Sequence, residues 1–175
     1  QEPVLHTILE AFPKTLSLAF GAVLIWILLG IPIGFVSALK PGSAWDRIAM
    51  VLALAGISAP AYWIGLVFLK VFADSLGWFP LGDYAEIGSA GMGSWAHHLV
   101  LPWITLALLY AGWYARMTRA QVLEVAGTDY IRTAKAKGLP PRLVIGKHIL
   151  KNALLPLVTM LGMDIAYLFG GAVLT

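Results

Sequence analysis

The chain has 175 residues, of which 59% are hydrophobic and only 12% charged, with a net charge of +3 and no cysteine. Soluble domains run at roughly 45–50% apolar and about 25% charged residues, so a soluble globule and a disordered tail are both excluded. Without cysteine there is no disulfide, thiolate metal site or cysteine nucleophile, and the basic residues lie between apolar stretches, which argues against nucleic acid as a partner.

Four stretches are long and apolar enough to read as membrane spans, each needing about 20 residues. Residues 16–39 read LSLAFGAVLIWILLGIPIGFVSAL and carry no charge. Lys14 is the only Lys or Arg before this run, which is too long for a signal-peptide core. Residues 48–69 read IAMVLALAGISAPAYWIGLVFL, again uncharged, and the span is placed at about 48–73. A third run, LVLPWITLALLYAGWYA, is extended by uncharged residues before it to about 95–123. The fourth, 152–175, is interrupted only by Asp164. Four such runs leave too little polar sequence to enclose them as soluble core helices. The fold expected is all-α, a polytopic transmembrane bundle.

Charge sets the orientation. The 74–98 connection has no Lys or Arg, whereas residues 116–151 hold Arg116, Arg119, Arg132, Lys135, Lys137, Arg142, Lys147 and Lys151, and 40–47 adds Lys40 and Arg47. The positive-inside rule places 40–47 and 116–151 in the cytoplasm and 1–15 and 74–98 outside. Pro32, Pro60, Pro102 and Pro156 put one proline in each span. They are read either as ordinary membrane-helix prolines or as points where a transporter bends. The first residues lack a basic anchor and the last stand inside an apolar run, so further residues are expected beyond both ends.

The segment 128–151 reads TDYIRTAKAKGLPPRLVIGKHILK. Thr128 is expected as an N-cap, Asp129 suits the positive helix start, Lys135 and Lys137 suit its end, and Gly138 stands at the C′ position before Pro140-Pro141. This predicts a short helix over about 129–137 and a second from Pro141 through Lys151. Tyr130, Ile131, Ala134 and Gly138 share one small, apolar face, to be buried against the chain's own bundle or against a partner protein. A helix-turn-helix reading is set aside, since the second helix runs into a membrane span.

The sequence DYIRTAKAKGLPPRLVIGKHILKNALLP resembles the cytoplasmic EAA loop of ABC-importer membrane subunits, in the dipeptide/oligopeptide/nickel permease branch. The resemblance extends to GIPIGFVSAL at 30–39, DRIAMVLALAGISAPAYWIGL at 46–66, LGWFPLG at 76–82 and ARMTRAQVLEV at 115–125. The general motif has Glu-Ala-Ala where this chain has Arg132, Thr133 and Ala134, a departure common in that branch. The resemblance implies a type I importer fold of about six spans, four of them here. It implies that about 124–151 is a coupling loop, with Asp129, Tyr130, Ile131, Arg132, Thr133, Ala134, Lys135, Ala136, Lys137, Gly138 and Leu139 docking on an ATPase. The implied partners are a second homologous permease subunit, two cytoplasmic ATPase subunits, an external solute-binding protein and lipid, in a bacterial or archaeal plasma membrane. The implied cargo is di- or oligopeptide, with nickel or glutathione as alternatives. A rival from another class is an ion-gradient-driven carrier or channel.

No G-x-x-x-x-G-K-[ST] occurs, so ATP and Mg are expected on partner subunits and the chain is read as a non-enzyme. The glycines at 88, 91 and 93 read as an external connection and His97-His98 as an interfacial pair, with no metal site expected. Asp164 lies twelve residues past Asn152, about 18 Å along a helix and near mid-membrane. An acid there either lines a path or holds a structural hydrogen bond. Ser58, Tyr62, Trp113, Tyr114 and Tyr167 are further path candidates, set against plain packing.

Overall fold

A computed structural model describes residues 4–85 and 87–174, without the side chains of 4–8, 10, 87–90 and 169–174. Helix α1 spans Val4–Leu39, α2 Ala44–Ser58, α3 Ala61–Phe68, α4 Ile87–Ala126, α5 Asp129–Ala136, α6 Pro141–Leu143 and α7 Lys151–Leu174. Wider π-helical turns cover Leu69–Ser75 and Val144–Leu150.

Among the described residues, three helical stretches are long and apolar enough to cross a membrane: Ala11–Leu39, Gly91–Ala126 and Pro141–Leu168. The second expected span is not one bent helix. It is a pair, Ala44–Ser58 and Ala61–Ser75, turned by 98° at the break. Pro60 has no N–H to continue the ladder and drives the residue before it out of the helical region. Ala59 and Pro60 both take extended backbone, at ψ 132° and 131°. Two extended residues in succession turn the chain far more than a single in-helix proline.

Gly91 marks a second break, its φ of +78° and ψ of 162° interrupting α4 near its start. A left-handed φ suits glycine because no Cβ meets the neighbouring carbonyl. The glycine-containing connection is thus helical from Ile87 onward apart from this joint.

Helix α4 is the axis of the bundle. The Trp103 indole N–H donates to the Ser17 carbonyl at 3.0 Å, and a Cβ on Gly34 would lie 2.2 Å from the Ala115 carbonyl oxygen. Low numbers therefore face low numbers, and α1 and α4 run parallel. On α2 the order reverses: Asp46 meets Arg119, while a Cβ on Gly112 would lie 2.6 Å from the Ala53 carbonyl oxygen. Helix α7 is also antiparallel to α4, with Ala153 near Val122 and Asp164 bonded to Tyr114. Helices α1 and α4 thus run one way, and α2 and α7 the other.

Small residues let the helices approach at backbone contact, where dispersion and close packing replace the hydrophobic drive that lipid does not supply. Two cores result. The central one gathers Ala22, Trp26, Ala107, Ala111, Tyr114 and Leu157, with Trp26 stacked on Tyr110 at 4.4 Å between centroids. The other lies at the basic end and unites Ala38, Val122, Ile131, Ala134, Val144, Ile149 and Ala153.

Candidate functional site

The basic end presents α5 as a compact, doubly fixed element. Thr128 has the extended backbone of an N-cap, but its hydroxyl donates to the Val125 carbonyl at 2.6 Å and makes no cap bond. The expected side-chain cap is therefore absent at this position, because that hydroxyl is engaged by the preceding turn. At the other end the Leu139 N–H donates to the Ala134 carbonyl and the Gly138 N–H to the Lys135 carbonyl. With Gly138 at φ +75° this is a Schellman close, in which glycine alone avoids the left-handed penalty. Pro141 then starts the next helix at a position that has no N–H to lose. The widened turn Val144–Leu150 carries the chain into α7 without a break.

The small apolar face turns inward. Ile131 is fully buried and Ala134 nearly so, packed against residues of α1, α4, α7 and the second π turn. Tyr130 is half exposed, and its hydroxyl accepts from the Asn152 amide at 3.1 Å, tying α5 to the base of α7. Leu139 is half-buried beside the same core. What remains exposed is mostly polar: Asp129, Arg132, Thr133, Lys135 and Lys137, with Ala136 and Gly138 among them. Arg132 pairs with Asp129 at 3.2 Å. Both partners stand in solvent, where such a pair contributes little and leaves the guanidinium free to exchange partners.

The path candidates do not form one cluster. Asp164, half-buried on α7, accepts a hydrogen bond of 2.6 Å from the fully buried Tyr114 hydroxyl. Ser58 donates to the Leu54 carbonyl of its own helix at 2.8 Å. Tyr62 lines an apolar cavity of about 340 Å³ with Leu18, Gly65, Leu101 and Thr105. Trp113 and Tyr167 are exposed on α4 and α7. His97 and His98 each place a ring nitrogen on a backbone carbonyl, of Trp78 at 2.9 Å and Ser94 at 2.8 Å. Among the described residues no group of three or more His, Asp or Glu side chains is placed to hold a metal ion.

One polar constellation escaped the reading of the sequence. Asp46 is 3% exposed at the start of α2. Its two oxygens take the Arg119 Nε at 2.6 Å, the Arg119 Nη2 at 2.8 Å, the Gly42 N–H at 2.7 Å and the Ser37 hydroxyl. The Asp46 N–H donates in turn to Ser43 Oγ at 3.2 Å, capping the helix. Asp46 and Arg119 stand in charged connecting segments, beside Lys40 and Arg47 and beside Arg116 and Glu124, so neither stood out in the sequence. Their separation of 73 positions is what hid the pairing.

Residues 30–175 match the family model described as binding-protein-dependent transport system inner membrane component. The chain is 39% identical over 194 residues to the di/tripeptide transport system permease protein of Pseudomonas aeruginosa, covering 100% of this chain and 58% of that protein. It is 41% identical over 172 residues to a putative peptide transport system permease protein of Brucella abortus, covering 98% and 54% respectively. It is 38% identical over 173 residues to the glutathione transport system permease protein of Pectobacterium atrosepticum, covering 99% and 54%. The chain thus spans about half the length of the curated relatives it matches.

Proposed function

Since the chain belongs to the family of binding-protein-dependent transport system inner membrane components, we propose that it forms part of the pore of an ATP-driven ABC importer for di- and oligopeptides. The observation that carries this reading is α5. It is short, closed by a Schellman turn, keyed into the bundle by Ile131 and Ala134, and it exposes an outer surface of Arg132, Thr133, Lys135, Ala136 and Lys137. Such an element transmits force, because its inner face is locked to α1, α4 and α7 while its outer face is free to be gripped. Its basic outer face suits an acidic-rimmed groove on an ATPase subunit, with rim charges steering the encounter more than fixing its strength.

In this reading two ATPase subunits supply ATP and Mg chemistry, a second, homologous permease completes the pore and an external solute-binding protein delivers cargo. Peptide is favoured because relatives named for di/tripeptides, peptides and glutathione all carry peptide-type molecules. Glutathione itself is the second reading, favoured by the relative that bears that name. Asp164 belongs to the path: its Oδ2 is held by Tyr114, which leaves lone pairs free to meet a protonated peptide amine.

Purification of the intact complex from its membrane tests the class. Co-purifying ATPase subunits and uptake of labelled dipeptide that stops when those ATPases are inactivated are expected. Uptake that persists without them would instead make the protein an ion-gradient-driven carrier.

A further inference from the structure

The coupling loop and α2 do not share a core. Among the described residues the basic-end cluster draws on α1, α4, α5, the second π turn and α7, with no α2 side chain. Yet α2 leads to the 98° break at Ala59-Pro60, where one expected span is divided into two helices. A displacement of α5 can reach α2 through α1 and α4, which share the basic-end core with α5 and also bond to α2.

Those two helices meet α2 at Asp46. From α1 comes Ser37, the neighbour of Ala38 in the basic-end core. From α4 comes Arg119, one turn before Val122 of the same core. The Gly42 N–H binds the same carboxylate from the turn between α1 and α2. Four donors on one buried carboxylate fix α2 in position and in rotation, since a bidentate guanidinium constrains angle as well as distance. A little further along, α4 is held at backbone contact by α1 at Gly34 and by α2 at Gly112, leaving no slack for the helices to slide independently.

We infer that Asp46 and Arg119 are positioning residues for coupling, a buried ionic latch that makes the basic ends of α1, α2 and α4 move as one body and so carries a push on α5 to the broken α2–α3 pair. The inference rests on the proposal that α5 is gripped by an ATPase. The latch acts on how much transport each ATP yields, rather than on whether the complex exists. An ordinary structural ion pair would hold the fold together and leave that ratio unchanged.

The test uses the full complex, membrane subunits with ATPases and solute-binding protein, reconstituted in liposomes. Three variants are compared with wild type: Asp46→Asn, Arg119→Lys and Ser37→Ala. Arg119→Lys keeps the charge but replaces the two-pronged fork with a single ammonium, so it removes angular control with the least threat to folding. The readouts are ATP hydrolysed per peptide imported and the stimulation of ATPase by loaded binding protein. For Asp46→Asn and Arg119→Lys the inference expects assembled complexes whose ATP cost per peptide rises about tenfold and whose stimulation is largely lost, a typical size for a coupling between sites. Ser37→Ala, which removes one donor of four, should give a smaller rise.

If the variants assemble and keep the wild-type ratio, the inference is overturned. It is equally overturned if they assemble in lower amount and the surviving complexes keep that ratio, since the pair then serves stability alone. If Asp46→Asn does not assemble, Arg119→Lys decides, and loss of assembly in both also assigns the pair to stability. A parallel charge reversal on α5, Lys135→Glu with Lys137→Glu, separates this from failure of the underlying reading. Uncoupling by the α5 pair but not by the latch variants rejects the latch only, whereas wild-type transport by the α5 pair rejects the grip on α5 itself.

Discussion

Ile131→Ala probes the inner face of α5, where two roles for the same apolar surface predict different outcomes. Ile131 is fully buried in a core with Ala38, Val122, Val144, Ile149 and Ala153, so truncation leaves a cavity among stiff or short side chains that fill it poorly. Such a change costs about 2–5 kcal/mol, against about 0.5–1.5 kcal/mol for Ile131→Val. Each ~1.4 kcal/mol is tenfold in an equilibrium, so a cost near ~3 kcal/mol raises the undocked fraction of α5 by about 100-fold. Undocking exposes the helix backbone to trypsin at Arg132, Lys135 and Lys137, all on its outer face. Cleavage of the transiently opened state tracks its population when reclosing is fast. In inside-out membrane vesicles without ATPase subunits, Ile131→Ala should therefore be cut on the order of 100-fold faster than wild type, and Ile131→Val only several-fold faster. Were the apolar face a surface for a partner instead, Ile131→Ala would weaken ATPase association and leave cleavage unchanged. That result would refute the packing account of α5.

Three further outcomes follow from the same geometry. Lys135→Glu with Lys137→Glu alters only exposed positions, so the membrane subunit should insert normally while ATPase co-purification falls, with a weaker dependence on salt than wild type. Gly34→Leu forces a side chain onto the Ala115 carbonyl and Thr118 Cβ, at 2.2 and 2.8 Å from where even a Cβ would stand. This overpacking costs about 1–3 kcal/mol or more and should lower the melting temperature of the purified complex, whereas Gly162→Ala, which meets no neighbouring atom, should not. Asp164→Asn keeps an acceptor for the Tyr114 hydroxyl but loses the charge. Uptake of dipeptides with a free amino terminus should fall more than uptake of amino-blocked ones, and equal effects on both would assign Asp164 to structure.

Much of this was legible in the sequence because it rests on local physics. Uncharged runs of span length, the one-sided placement of Lys and Arg, and the Gly138 close of α5 each depend on neighbours in the chain. The break at Ala59-Pro60 was visible as a proline, but not its 98° size, which needs two consecutive extended residues. The inner face of α5 was recognised while its partner was left open, since spacing defines a face and only the fold says what covers it. The Asp46–Arg119 latch was missed for the same reason: the two residues lie 73 positions apart and meet only because α2 runs antiparallel to α4. The π turns at Leu69–Ser75 and Val144–Leu150 were not foreseen either.

The central claim is that α5 lies in the cytosol and is gripped there by an ATPase. These 175 residues contain no cysteine, so Lys137→Cys introduces a thiol that is unique among them, at an exposed position of that surface. A maleimide that cannot cross membranes should leave this thiol untouched in intact cells, label it rapidly in inside-out vesicles stripped of ATPase, and label it far more slowly once the ATPase subunits are restored. Labelling from outside the cell, or equal rates with and without ATPase, would contradict the account.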